Sequence, residues 1–477
     1  MSITRRHALV LGATSGALLL AGGTAAAQET ARASRVFPRG RERLLHADLH
    51  NHTLLSDGDG RAEEAFASMR AAGLDVAAIT DHSGVGKLQG DLCQGCAGAV
   101  GIDESEWRRL GELADTADEA DAFVAIRGFE WSSPTLGHMN VWGSRTWTDP
   151  LATGGIGAAT TAAALVHEGG EPLPGPTAAV VNELLRRSPE NQASMAGFYE
   201  WLQADPDRPV VGGGGDALVG FNHPGREAGR FGFFAYEPRL ADRVVSLELF
   251  NRGEDYLYEQ VDRGAPSPLV ECLDAGWRVG LIGVTDEHGT NWGFRRDLGR
   301  TGLWAPSLDR AGVRAAMRRR RFFATRERGL RVDAAANRTP MGSALDHVRG
   351  DVSFVLDVDG GADWRGRAVR VQVLQTGRPM PTVVDEHDVV LTGAPMRFTV
   401  PIDRADGDWV VLRVTDPARP ADPRAAAFPA YAAAGHAVAY TSPFFLGEPT
   451  TRAPLTGLVA SVLGARTLGL RPGHHHR

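Results

Sequence analysis

Cysteine is nearly absent, with three residues in 477: Cys93, Cys96 and Cys272. That excludes a disulfide-stapled scaffold. A redox-active reading of Cys93-Gln-Gly-Cys96 lacks a thioredoxin-like βαβ context, and a structural zinc site there would need two further ligands that the neighbouring sequence does not offer. The pair reads as a short-loop disulfide inside an insertion, and Cys272 as a small buried apolar residue. Long apolar runs are also lacking. Nothing beyond the N-terminus approaches the ~20 apolar residues that span a bilayer. Positive charge is the third shortage: the formal net charge is −7. It becomes −9 without the first 27 residues, which carry Arg5 and Arg6 and no acid. An acidic surface argues against nucleic acid as the main partner, because phosphate backbones are held by clustered Lys and Arg. The basic runs Arg318 to Arg321 and Arg326 to Arg331 read as solvated, dipole-compensating helix ends.

What is present is ordinary for a globular chain, at 43% hydrophobic and 23% charged residues. Its length exceeds one core and predicts two domains with terminal extras. Residues 1–27 combine Arg5-Arg6, a mild glycine-broken apolar stretch and Ala25-Ala-Ala27. They read as a cleaved twin-arginine export signal rather than an anchor, which implies a periplasmic or extracellular protein with no membrane span after cleavage. A polar linker covers 28–43.

The densest chemistry is His46-Ala-Asp-Leu-His-Asn-His-Thr-Leu-Leu-Ser-Asp-Gly58. Residues i and i+2 of a strand share a face, so His50 and His52 can grip one metal ion, with Asp57 in the turn behind. A lone His-x-His is weak evidence, but more such segments follow. Ile79-Thr-Asp-His82, Gly128-Phe-Glu130, Gly137-His138-Met-Asn140, Phe221-Asn-His-Pro224 and Val284-Thr-Asp-Glu-His288 each set a ligand-type residue after a short apolar run. Polar groups at the carboxyl ends of buried strands are how an alternating strand and helix barrel presents an active site. Strands are expected at 44–50, 76–80, 123–130, 218–222, 244–250 and 278–285, and helices at 61–72, 104–120, 191–204 and 309–320. An irregular Gly/Ala/Pro/Thr-rich insertion at 144–190 is expected beside the mouth. From Leu330 the alternation in 352–358, 368–374, 396–402 and 409–414 predicts a small antiparallel β-sandwich over 330–447. The tail 448–477 reads as poorly ordered, and its His474, His475 and His476 as incidental.

In order and number, these motifs resemble the PHP (polymerase and histidinol phosphatase) superfamily of metal-dependent hydrolases, over residues 44–325. The resemblance implies an α/β fold, a distorted (βα)7-type barrel followed by the β-sandwich, and a centre of two to three divalent transition metals (Zn, Mn or Fe). One metal would take His50, His52, Glu130 and Asp286; a second Asp57, His82 and His288; a third His138 and His223 with Glu130 as bridge. Borderline cations accept this mixture of nitrogen and oxygen, and a shared water would become the hydroxide nucleophile. Glu130 and Asp286 are the expected catalytic carboxylates. Asp48 is expected to orient an imidazole, Asp81 to brace the local turn, His46 to be core, and Glu287 to point away by strand alternation. Glu248 has a helix-facing or surface role as its reading at least as often as a site role. Asn140, Asn251, Arg252, Arg295 and Arg296 are candidates for substrate binding, and Trp131 and Trp292 for walling a pocket or for packing. The overall layout resembles the exported carbaryl-hydrolase-like branch. The expected substrate is a small carbamate or carboxyl ester, with a phosphoester nearly equal. A reading from another class is a non-catalytic exported metal- or surface-binding protein.

Overall fold

The computed structural model describes residues 32–83, 101–133, 136–150, 152–155, 194–208, 212–227, 229–293, 298–347 and 349–447. Residues 1–27, read above as an export signal, Cys93 and Cys96, most of the 144–190 segment, Arg295, Arg296 and residues 448–477 lie outside them.

The apolar runs form β1 (Arg43–Asp48), β2 (Val76–Ile79), β3 (Val124–Ser133), β4 (Gly137–Trp142), β5 (Leu218–Phe221), β6 (Val244–Asn251), β7 (Glu254–Asp255), β8 (Gly280–Val284), β9 (Arg300–Ala305) and β10 (Phe322–Thr325). The helices beside them are α1 (Ala62–Ala71), α2 (Glu104–Ala117), α3 (Ala196–Gln203), α4 (Pro268–Asp274) and α5 (Arg310–Arg318). Helix α2 starts on a capping box, Asp103 accepting from the Glu106 backbone while Glu106 reaches back. Its Trp107, Leu110 and Ala114 face the sheet.

β1, β2 and β3 pair in parallel, as do β5, β6 and β8. Between the two triplets runs β4, antiparallel to both β3 and β5. On the other side β9 is antiparallel to β1 and β10 is antiparallel to β9. The sheet is therefore mixed. The β3–β4 reversal differs from a purely alternating barrel because a three-residue connection joins those strands and a parallel pair requires a long crossover; β9 and β10 are antiparallel although α5 lies between them.

Beyond Thr325 come β11 (Arg331–Ala336), β12 (Thr339–Pro340), β13 (Ala344–Leu345), β14 (Arg349–Asp359), β15 (Ala368–Gln375), β16 (Thr382–Val390), β17 (Met396–Asp403), β18 (Trp409–Asp416), β19 (His436–Thr441) and β20 (Phe444–Leu446). β12, β11, β14 and β17 make a separate four-stranded sheet. β16, β15, β18 and β19 pair in turn, and β19 pairs with β10. This layer is thus continuous with the first sheet, a 16-stranded whole, rather than part of a self-contained sandwich. β10 carries an open edge after β9, and an unpaired edge recruits a strand. Val332, Phe354 and Val400 of the small sheet share one core with Val371, Leu412 and Val438 of the large one. Among the described residues no helix is long and apolar enough to cross a membrane.

Candidate metal centre

The chain stays extended past Asp48, so His50 and His52 project together. Both are fully buried, with Nε2 atoms 3.0 Å apart. Asn51 turns the other way and donates to Ala78 O. The following turn closes on Asp81, whose carboxylate accepts from the Thr53 amide and hydroxyl at 2.7 Å each and from Ser56 Oγ at 2.6 Å. Gly58 permits this closure, since a Cβ there would stand 2.7 Å from Thr53 N. Asp57 is carried back inward as a result, with Oδ2 3.5 Å from His82 Nε2 and 3.3 Å from His288 Nε2.

Glu130, fully buried on β3, is the hub. Its Oε1 lies 3.2 Å from His50 Nε2, 3.4 Å from His138 Nδ1 and 3.2 Å from His223 Nε2. Its Oε2 lies 2.8 Å from His82 Nδ1 and 3.6 Å from His52 Nε2. Asp286 Oδ1 is 3.5 Å from His50 and 3.2 Å from His52. All nine residues singled out in the sequence therefore stand in one cluster. His223 and Asp286 sit there at φ +24° and +48°. A non-glycine residue in that region costs on the order of 1–3 kcal/mol, a strain typical of functional positions.

The donors gather as His50/His52/Asp286, His52/Asp57/His82/His288, His82/Glu130/His138 and His138/His223/Glu227. The grouping differs from the sequence reading: Glu130 stands with His82 and His138 rather than with His50, His52 and Asp286. His52 also faces the Asp57 group, and Glu227 joins His138 and His223, its oxygens 3.8 Å from His138 Nε2 and 3.7 Å from His223 Nδ1. Glu227 follows His223 by four residues through a Pro-Gly turn, and only that spacing hinted at it.

Glu248 has no surface role: it is fully buried, accepting from His50 Nδ1 at 2.8 Å, from the His223 amide at 2.7 Å and from Asn251 Nδ2 at 2.9 Å. A carboxylate within the apolar strand Val-Val-Ser-Leu-Glu-Leu-Phe-Asn was the available signal, since buried charge demands partners. Asn251 is thereby committed to Glu248. Asp48 holds no imidazole; it accepts from Thr285 N at 3.1 Å and Thr285 Oγ1 at 2.5 Å, bracing the loop that carries Asp286. Glu287 stands outside the four donor groups, its carboxylate accepting from the Gly289 amide. Asn140 is buried opposite Glu130 on β4, and Arg252 is at the rim, 3.3 Å from Asp286 Oδ2 with 47% of its side chain exposed. Arg226, not singled out in the sequence, approaches the same oxygen at 3.9 Å. Trp131 stacks on Phe198, and Trp292 donates to His52 O; both pack.

Do these residues fit cations? Six buried atoms of the cluster have no hydrogen-bond partner: His52 Nδ1, His138 Nδ1, His223 Nδ1, Glu130 Oε2, Glu227 Oε2 and Asp286 Oδ2. Each such atom costs about 1–3 kcal/mol when unsatisfied, and a mixed imidazole and carboxylate set suits divalent transition metals. The charges agree. Burial would raise the Glu130 carboxyl, but His50, His138 and His82 outweigh it and hold it well below its usual range. Asp286 is held down in the same way by His50 and His52. Burial opposes protonation of His82 and His223, yet Glu130 with Asp57 raises His82 to about 10, and Glu130 with Glu227 raises His223 to about 9. His52 is pushed down to about 3 by burial and then by His82. Without metal, protons balance the carboxylates, and these are the positions cations would take over.

No family model and no curated protein matches the chain. Solved structures similar to it include a two-domain protein of Bacteroides vulgatus containing a predicted PHP-like metal-dependent phosphoesterase, at 14% identity and TM-score 0.37, covering 85% of this chain and 95% of that one. A candidate metal-dependent phosphoesterase of Bifidobacterium adolescentis is 16% identical with TM-score 0.27, covering 51% and 88%. An amidohydrolase of Chromobacterium violaceum with bound sulfate and no metal is 16% identical with TM-score 0.26, covering 53% and 91%.

Proposed function

We propose that the protein is a metal-dependent hydrolase of the PHP superfamily that cleaves ester bonds. The observation that carries this reading is the convergence of nine histidines and carboxylates, in the expected order along the chain, into one cluster in which five histidines contact Glu130. His50, His52, Asp57, His82, Glu130, His138, His223, Asp286 and His288 would hold two to three divalent cations, with Glu227 beside His138 and His223. Such cations supply Lewis acidity, lowering the pKa of water towards ~7 and stabilising an oxyanion. Glu130 offers its two oxygens to different histidine groups. Glu248 fixes the His50 ring and the His223 backbone. Asp286 Oδ2, free of hydrogen bonds and turned towards the rim arginines, accepts the proton of the attacking water.

Among esters the phosphoester is favoured, because Arg226 and Arg252 both reach for the outer oxygen of Asp286 and guanidinium groups pair with phosphate oxygens. A carbamate or carboxyl ester, as in the carbaryl-hydrolase-like branch, is the rival. Export by the twin-arginine route to the periplasm or beyond belongs to the same proposal, with a small-molecule substrate and no nucleic-acid partner. The test is a screen of metal-loaded protein against aryl carbamates, carboxyl esters, phosphomonoesters and phosphodiesters. Turnover of phosphoesters that falls in the Arg252→Met variant supports the reading. Turnover of neutral carbamates alone moves the substrate class, and turnover of none leaves the non-catalytic metal-binding reading.

A further inference from the structure

A cavity of about 470 Å³ lies away from the metal centre, bounded by α2, α5 and the lower ends of β3 and β5. That volume falls in the range of small-molecule pockets. Leu218 opens β5 five residues before His223, and Ile126 precedes Glu130 by four, so the cavity sits at the opposite ends of the strands. Trp142 lines the cavity where β4 passes it, its indole donating to Leu49 O at 2.9 Å. Leu218, Val313 and Met317 extend the apolar floor.

The rim is cationic in an acidic chain. Five arginines line the cavity, against Glu112 and Asp115. Arg310 is satisfied by Asp115 at 2.6 Å, Arg145 by Asp207 at 3.0 Å and Asp216 at 3.2 Å, and exposed Arg108 approaches Glu104 at 3.9 Å. Arg127 and Arg314 differ. Arg127 donates to the backbone oxygens of Ser144 and Trp107, and Arg314 to that of Asp216; neither forms an ion pair among the described residues. Burial holds both groups below their ordinary value. Arg127 is deliberately seated: its guanidinium stacks 4.0 Å over Trp107, and a Cβ at helical Gly111 would stand 2.6 Å from its Nη1. Glycine inside a helix costs about 1 kcal/mol, which the fold accepts here to admit a guanidinium.

We propose that this cavity is a second small-molecule site, for an amphipathic monoanion whose acid group meets Arg127 and Arg314 while a compact apolar body rests on Trp142, Leu218 and Met317. The site is independent of the hydrolase reading. It is tested on the full, metal-loaded chain by calorimetry with 4-bromobenzoate, 4-bromobenzyl alcohol and inorganic phosphate, and by locating the bromine through its anomalous scattering in crystals. The expected result is bromobenzoate binding at least about 10-fold tighter than either control, a difference of about 1.4 kcal/mol, with bromine over Trp142. Arg314→Met, on a half-buried helix position, should reduce bromobenzoate to the level of the alcohol, and Arg127→Met should do the same if it folds. Bromine at the metal centre, equal binding of the three probes, or an Arg314→Met variant with unchanged affinity would overturn the proposal.

Discussion

At Arg413 and at Glu130 the protein buries charge equally deeply, and the two places differ in what is left over. Arg413 is 1% exposed, and its three guanidinium nitrogens donate to Tyr440, Gln372 and Tyr258 at 3.0, 2.6 and 3.1 Å. Tyr440 passes the chain on to Asp255 at 2.8 Å. Around Glu130, by contrast, six buried polar atoms face charged neighbours without forming an aligned hydrogen bond, and two residues of the cluster have left-handed backbone. A saturated buried network fixes how the β10–β19 layer packs on the first sheet. An unsaturated one is strained and poised for a ligand.

The variants that should separate the two regions most widely are carboxylate substitutions at the hub. Glu130→Gln keeps the shape but removes the negative charge shared by three histidine groups, so activity should fall by orders of magnitude and metal content should drop with it. Glu287→Gln should leave both nearly unchanged, because that side chain stands apart from the donor groups. Elemental analysis with initial rates distinguishes them, and the reverse pattern would break the assignment of Asp286 and His288.

Glu248→Gln probes the next layer. Loss of a carboxylate behind a metal-binding histidine lowers metal affinity on the order of 10- to 100-fold, so a competition titration should show that loss with the fold intact. Arg413→Met should behave oppositely: about 3 kcal/mol less stable to urea, from disruption of a buried charge network, with unchanged metal stoichiometry. A metal loss in Arg413→Met would erase the contrast between the two regions.

The remaining contrast is in pH. His82 and His223, raised to about 10 and about 9 in the metal-free protein, contribute stability that is fully present below their unfolded pKa near 6.5. It is lost as pH rises through 9 and 10. Metal-free protein should therefore weaken over that window, while apparent metal affinity strengthens because fewer protons must leave. Thermal melts with and without metal check both directions.

How much of this was legible in the sequence follows from the range of each interaction. His50 and His52 were readable because strand alternation is local, and Glu130, Asp286 and His288 because they follow apolar runs. Glu248 was undervalued: its partners are His50, 198 residues away, and a backbone amide that no sequence pattern records. Asp48 braces Thr285 across 237 residues for the same reason. In the fold, β9 and β10 escaped notice because Arg300-Thr301-Gly302 interrupts the apolar run of the first and the second is only four residues long. Their antiparallel pairing is what joins the later strands to the first sheet.

The central claim is that the Glu130 cluster is a metal centre, and metal stoichiometry tests it most directly. Purified protein reconstituted with Zn²⁺ or Mn²⁺ and freed of loose ions should hold two to three ions per chain, released together with activity by a chelator. One ion or none per chain would contradict the account.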